Sequence, residues 1–117
     1  MRLDEYQQLA ERTAKRGAEN EAERRYAHFG MGIAGEAGEV CDLLKKVVFH
    51  GHSLNRDRLC KELGDVLWYV ATLATTAGLS LEEVAVTNLA KIKTRYPEGF
   101  SSERSLDRGV ASPADLE

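Results

Sequence analysis

Leu59-Cys60-Lys61-Glu62-Leu63-Gly64-Asp65-Val66-Leu67-Trp68-Tyr69-Val70-Ala71-Thr72-Leu73-Ala74 decides the class of this fold. Apolar residues recur three and four apart. Leu59, Leu63, Val66, Leu67, Val70, Leu73 and Ala74 make one helical stripe, where a strand would alternate. The spacing predicts a helix over about Asn55 to Ala77, ended by Gly78. Within it Glu62 and Asp65 stand three apart and share a face.

The same period runs outward in both directions. A helix over roughly Gly30 to Phe49 carries the stripe Ile33, Val40, Leu43, Leu44 and Val47, and holds a second acidic pair, Glu36 and Glu39. His50-Gly51-His52-Ser53 reads as the loop between the two helices, and His28 also reads as a loop residue. Toward the N-terminus, Leu3, Tyr6, Leu9, Ala10 and Thr13 predict a helix from about Leu3 to Arg16, stopped by Gly17. The charged stretch Ala18 to Tyr26 reads as helix or loop. Toward the C-terminus, Ser80-Leu81-Glu82-Glu83 forms a capping box. The helix it opens carries Leu81, Val84, Ala85, Leu89 and Ile92 and ends near Tyr96, before Pro97. The fold class expected is all-α, an antiparallel four-helix bundle over residues 1–100, with a polar tail over 101–117.

Composition narrows the function. The 117 residues suit a single domain. A net charge of −3, with no basic block, argues against wrapping nucleic acid. No apolar run reaches the ~20 residues that cross a bilayer, and the first residues lack the apolar core of a signal peptide. Cys41 and Cys60 fit no metal-ligand spacing and read as buried free thiols. A reducing cytoplasm is the expected location.

The chemistry lies in the two acidic pairs. At ~100° per residue, Glu36 falls close to the core stripe and Glu39 about 100° to one side. Glu62 and Asp65 flank the stripe of their own helix. Like charges three apart repel, and partly buried carboxylates are costly unless paired. A divalent cation would neutralise them. Gly35, Gly38 and Gly64 each cost a helix interior about 1 kcal/mol relative to Ala, and are read as places of close backbone approach. Neither pair contains His, so the donor set is oxygen only. That favours Mg²⁺, with Mn²⁺ possible, over Zn²⁺ or iron, and phosphate chemistry follows.

Gly35-Glu36-Ala37-Gly38-Glu39-Val40 and Glu62-Leu63-Gly64-Asp65-Val66-Leu67, followed by Asn88-Leu89-Ala90-Lys91 and Arg95-Tyr96-Pro97, resemble the MazG-like all-α nucleoside triphosphate pyrophosphohydrolases. The resemblance covers about Leu3 to Phe100. It implies hydrolysis of a (deoxy)nucleoside triphosphate to the monophosphate and pyrophosphate, as in house-cleaning of the nucleotide pool. It assigns Glu36, Glu39, Glu62 and Asp65 to Mg²⁺, and it places Asn88 and Lys91 near metal and phosphates. It further implies a homodimer or homotetramer. Some members carry another Glu just before the first motif, where this chain has Gly35. The number of metal ions and the group that activates water stay open at this point.

The remaining candidates come from helical position. Asn88 falls on the stripe of its helix, as a buried Asn would. Lys91 and Arg95 share its face and suit phosphates. Lys46 points to the side of Glu39. Tyr69 lies on the side of Glu62 and Asp65 and would wall a base pocket. Trp68, on an otherwise polar flank, reads as a subunit contact first and a base contact second. Glu39, or else Glu36, would accept a proton from water. Two other readings remain: phosphoribosyl-ATP pyrophosphohydrolase, and a non-catalytic helical module that binds a nucleotide or metal.

Overall fold

The structure is a computed structural model that describes residues 1–14 and 21–108. Among the described residues it is all-α, with no named strand. Helix α1 spans Leu3–Glu11, α2 Glu21–Phe49, α3 Arg56–Thr76, α4 Leu81–Arg95 and α5 Ser102–Asp107. No helix among these residues is long and apolar enough to cross a membrane. Met1–Glu82 forms one compact unit, and a second begins at Glu83.

Helix α2 starts earlier than the apolar period suggests. The charged residues from Glu21 onward are its first turns, so His28 lies on a helix and not in a loop. Arg25 is the reason. Its guanidinium pairs with Glu11 of α1, donates from Nε to Thr76 Oγ1 of α3 at 3.2 Å, and lies 4.9 Å from the centre of the Phe29 ring. One nearly buried cation thus joins three helices. The expected end of the first helix at Arg16 and its stop at Gly17 lie outside the described residues.

Helices α2 and α3 pack along each other. Arg25 meets Thr76, Gly32 meets Tyr69, and Glu36 meets Glu62 and Asp65. Numbers rise on one helix as they fall on the other, so the pair is antiparallel. Asn55 caps α3 by accepting from the Arg58 N–H at 3.1 Å. The helix ends in a Schellman arrangement: Leu79 N–H donates to Ala74 O at 2.9 Å and Gly78 N–H to Thr75 O at 3.1 Å. Gly78 takes φ +73°, which a side chain would resist.

Helix α1 lies on the other flank of α3. Ala10, Ala71 and Leu81 form a buried cluster, with Tyr6, Trp68 and Val70 packed against it. Buried Gln7 links α1 to the start of α4. Its Nε2 donates to Leu79 O at 2.9 Å and Thr75 Oγ1 at 3.0 Å, and its Oε1 accepts from Leu81 N–H at 2.7 Å. Asp4 Oδ1 accepts from Glu82 N–H at 3.3 Å. Trp68, expected at a subunit interface, makes contacts within the chain. Its Nε1 donates to Thr13 Oγ1 at 2.8 Å, and its ring meets Phe29 edge-on.

Three further expectations change. The buried face of α3 centres on Ala71, Thr72 and Ala74, whereas Leu63 and Leu67 of the expected stripe are exposed. Leu63, Leu67, Ala71 and Ala74 follow at three- and four-residue steps along one face: α1 covers its Ala71–Ala74 end, and among the described residues of the first unit no helix buries Leu63 and Leu67. Cys41 and Cys60 are exposed and not buried. Asn88 is exposed, as are its neighbours Leu89 and Ile92.

The second unit is held by its own contacts. The Tyr96 and Phe100 rings lie 5.4 Å apart. Hydrogen bonds from Arg108 and Ser105 lower the pKa of the Tyr96 hydroxyl. Within the stretch expected to be a polar tail, α5 is capped by Ser101, which accepts from Arg104 N–H at 3.3 Å.

Candidate metal centre

The packing of α2 on α3 brings both acidic motifs together. One carboxylate oxygen from each of Glu36, Glu62 and Asp65 lies within 4.8 Å of the others. Glu36 and Glu62 are half-buried at the helix contact, and Asp65 is exposed beside them. Partial desolvation, and then the charges of Asp65, Glu62 and Glu39, push the Glu36 carboxyl above its ordinary range. Glu39 is exposed. It is not one of the close trio, but its charge reaches Glu36.

Among the described residues, the ion pairs of Arg58, Lys45 and Lys46 do not discharge the cluster. Arg58 Nε stands 3.9 Å from Glu62 Oε1, at the edge of an ion pair, and its side chain is half-exposed. Lys46, expected on the phosphates, is held by Asp42 at 2.9 Å, and Lys45 binds the other oxygen of Asp42 at 3.1 Å. These two pairs lower the pKa of Asp42. Three hard oxygen donors that converge and repel are the donor chemistry that Mg²⁺ or Mn²⁺ accepts. The residues present therefore fit a divalent cation.

Tyr69, expected to wall a base pocket, packs on the backbone of α2. It stands four residues after Asp65. Gly32 stands four before Glu36, and the Tyr69 ring rests on it. A Cβ built on Gly32 would lie 2.1 Å from Tyr69 Cε1. Among the described residues no such neighbour stands within 4 Å of the Cβ positions at Gly35, Gly38 or Gly64. The close approach expected at the motif glycines occurs instead one turn earlier. The matching four-residue offsets, Gly32 to Glu36 and Asp65 to Tyr69, were the signal for it.

Tyr6 was also missed. Partial burial and the Asp65 charge raise the pKa of its hydroxyl, so α1 contributes a polar group on the side of the cluster. Nothing in the acidic motifs points to a helix so distant in sequence. Asn88, Lys91 and Arg95 lie on α4 within the second unit, the first two exposed and Arg95 half-buried.

The family model described as "MazG nucleotide pyrophosphohydrolase domain" matches residues 26–100, which leaves α1 outside the match. The "Gene 37 protein" of Mycobacterium phage L5 is 42% identical over 73 residues, covering 59% of this chain. The chain spans 64% of that relative's length. No solved structure matches.

Proposed function

This chain belongs to the MazG nucleotide pyrophosphohydrolase family, and from that premise we propose that it hydrolyses a nucleoside triphosphate to the monophosphate and pyrophosphate, with Mg²⁺ or Mn²⁺ as cofactor. The observation that carries this reading is the convergence of Glu36, Glu62 and Asp65 oxygens within 4.8 Å. These three would hold the cation, with Glu39 beside them. A cation bound there supplies positive charge for the phosphates and acidifies water.

The chain's own residues do the rest. Glu39, exposed and next to the cluster, accepts the proton of the water that attacks the α-phosphorus in line. The bond from that phosphorus to the bridging oxygen breaks, and pyrophosphate leaves. Tyr69, fixed on Gly32, walls the base side. The family pattern alone assigns Asn88 and Lys91 to metal and phosphates, and Arg95 joins them only from its place on the same helical face. Lys46 would have to exchange Asp42 for a phosphate, so its part is secondary.

The reading includes a homo-oligomer. Leu44 and Val48 of α2 and Leu63 and Leu67 of α3 are exposed, and Leu63 is 51% accessible. With exposed Leu54 they leave much apolar surface on the two helices. Analytical ultracentrifugation tests this, and a monomer at micromolar concentration would refute it. The activity itself is tested with a panel of ribo- and deoxynucleoside triphosphates and Mg²⁺, with the products separated. Pyrophosphate and monophosphate are expected. Orthophosphate and diphosphate would overturn the reaction proposed.

A further inference from the structure

The aromatic group beside the cluster is built more rigidly than a wall requires. Phe29 is fully buried, with Arg25 over its ring and Trp68 edge-on to it. His28 stacks on Phe29 at 5.0 Å with its plane inclined by 24°, and meets the Tyr69 ring edge-on at 6.0 Å. Tyr69 itself cannot shift toward α2, because its ring already lies on the backbone at Gly32. His28 is exposed. The result is an imidazole held in place by a buried ring, with aromatic surface left to solvent.

Its position is set by the helix. Residues 28, 32 and 36 follow one another at four-residue steps along α2, so His28 stands about 12 Å along the axis from Glu36. That is comparable to the length of a nucleoside 5′-phosphate. A substrate with its α-phosphate at the carboxylates could lay its base at His28. Imidazole offers a flat face for stacking and ring nitrogens for an edge contact.

We propose that His28, backed by Phe29 and edged by Tyr69, is the stacking ledge for the substrate's nucleobase, with the base toward the N-terminal end of α2. The ledge makes the site select nucleotides over polyphosphates that carry no base. This rests on the carboxylates engaging the triphosphate. The bland alternative is that His28 merely shields Phe29, in which case its loss alters stability alone.

The test compares wild type with His28→Ala and His28→Gln, which keep the helix but remove the ring, and with His28→Phe, which restores a stacking face. KM for a nucleoside triphosphate and the inhibition constant of inorganic tripolyphosphate are measured with Mg²⁺, with thermal melting as a check on folding. The expected result is a KM raised about tenfold in His28→Ala and His28→Gln, the scale of a lost base stack. The tripolyphosphate constant should stay within about twofold, and His28→Phe should recover most of the KM. An unchanged KM, or an equal rise in both constants, overturns the ledge. If wild type releases no pyrophosphate from any triphosphate, the parent reading fails instead. Equilibrium dialysis of a nucleotide and of tripolyphosphate then applies the same two criteria to binding.

Discussion

At Gly32 the backbone of α2 and the ring of Tyr69 touch, while at Gly35, Gly38 and Gly64 no described residue stands where a side chain would grow. All four glycines lie on the same two helices, and three have the same immediate context of acids. The first is filled by the chain itself. The others are open in a single chain, beside four carboxylates. Close packing at Gly32 fixes how near α2 and α3 approach, and so fixes the spacing of Glu36 from Glu62 and Asp65 one turn on. The open positions leave room around those acids. One region therefore sets geometry, and its neighbour uses it.

The largest effect expected belongs to the open region and should leave the fold intact. Glu36→Gln or Glu62→Gln should lower pyrophosphate release by at least about a hundredfold, because each removes a donor from the trio. Their circular dichroism should match wild type. A variant with activity within about tenfold of wild type would separate that residue from the site.

The closed region should respond in stability. Gly32→Ala inserts a methyl into a ring that Phe29 and Trp68 already confine. Overpacking of this kind costs about 1–3 kcal/mol, read as a lower denaturant midpoint. Pairing it with Tyr69→Leu should cost less than the sum of the two single changes, since the clash partner is gone. Additive losses would mean that the ring is not what Gly32 accommodates.

Smaller still is the response of the open glycines. Gly38→Ala and Gly64→Ala should stabilise the protein by up to about 1 kcal/mol, because Ala is the better helix former and meets nothing. Destabilisation at either position would break the comparison, and would show the space to be occupied when chains associate.

This contrast also marks what could be read from sequence. The acidic pairs were legible because three-residue spacing fixes a face whatever packs on it, and α2 and α3 were legible from their period. Which part of the α3 stripe is buried was not. Leu63 and Leu67 lie on the same face as Ala71 and Ala74, one and two turns earlier, and the docking of α1 through Gln7 buries only the later residues. The start of α2 was hidden because Glu21, Arg24 and Arg25 carry no apolar stripe, and the contacts of Arg25 with α1 and α3 replace one. His28 was misplaced for the same reason. Tyr6 reaches Asp65 only through tertiary packing.

The smallest lever is pH, acting on two carboxylates of α2 in opposite senses. Glu36 has a raised pKa, so its charged form is disfavoured by the fold. In the metal-free protein, stability should fall as pH rises from the ordinary carboxylate value through the raised one. Asp42 has a lowered pKa, through Lys46 and Lys45, so its contribution is full above the ordinary value and is lost as pH falls through the lowered one. Melting temperature against pH should therefore lose its upper limb in Glu36→Gln and its lower limb in Asp42→Asn. Mg²⁺ should flatten only the upper limb, because it offsets repulsion among the acids and leaves Asp42 with its lysines. If Mg²⁺ leaves the upper limb of wild type unchanged, the trio does not hold the cation.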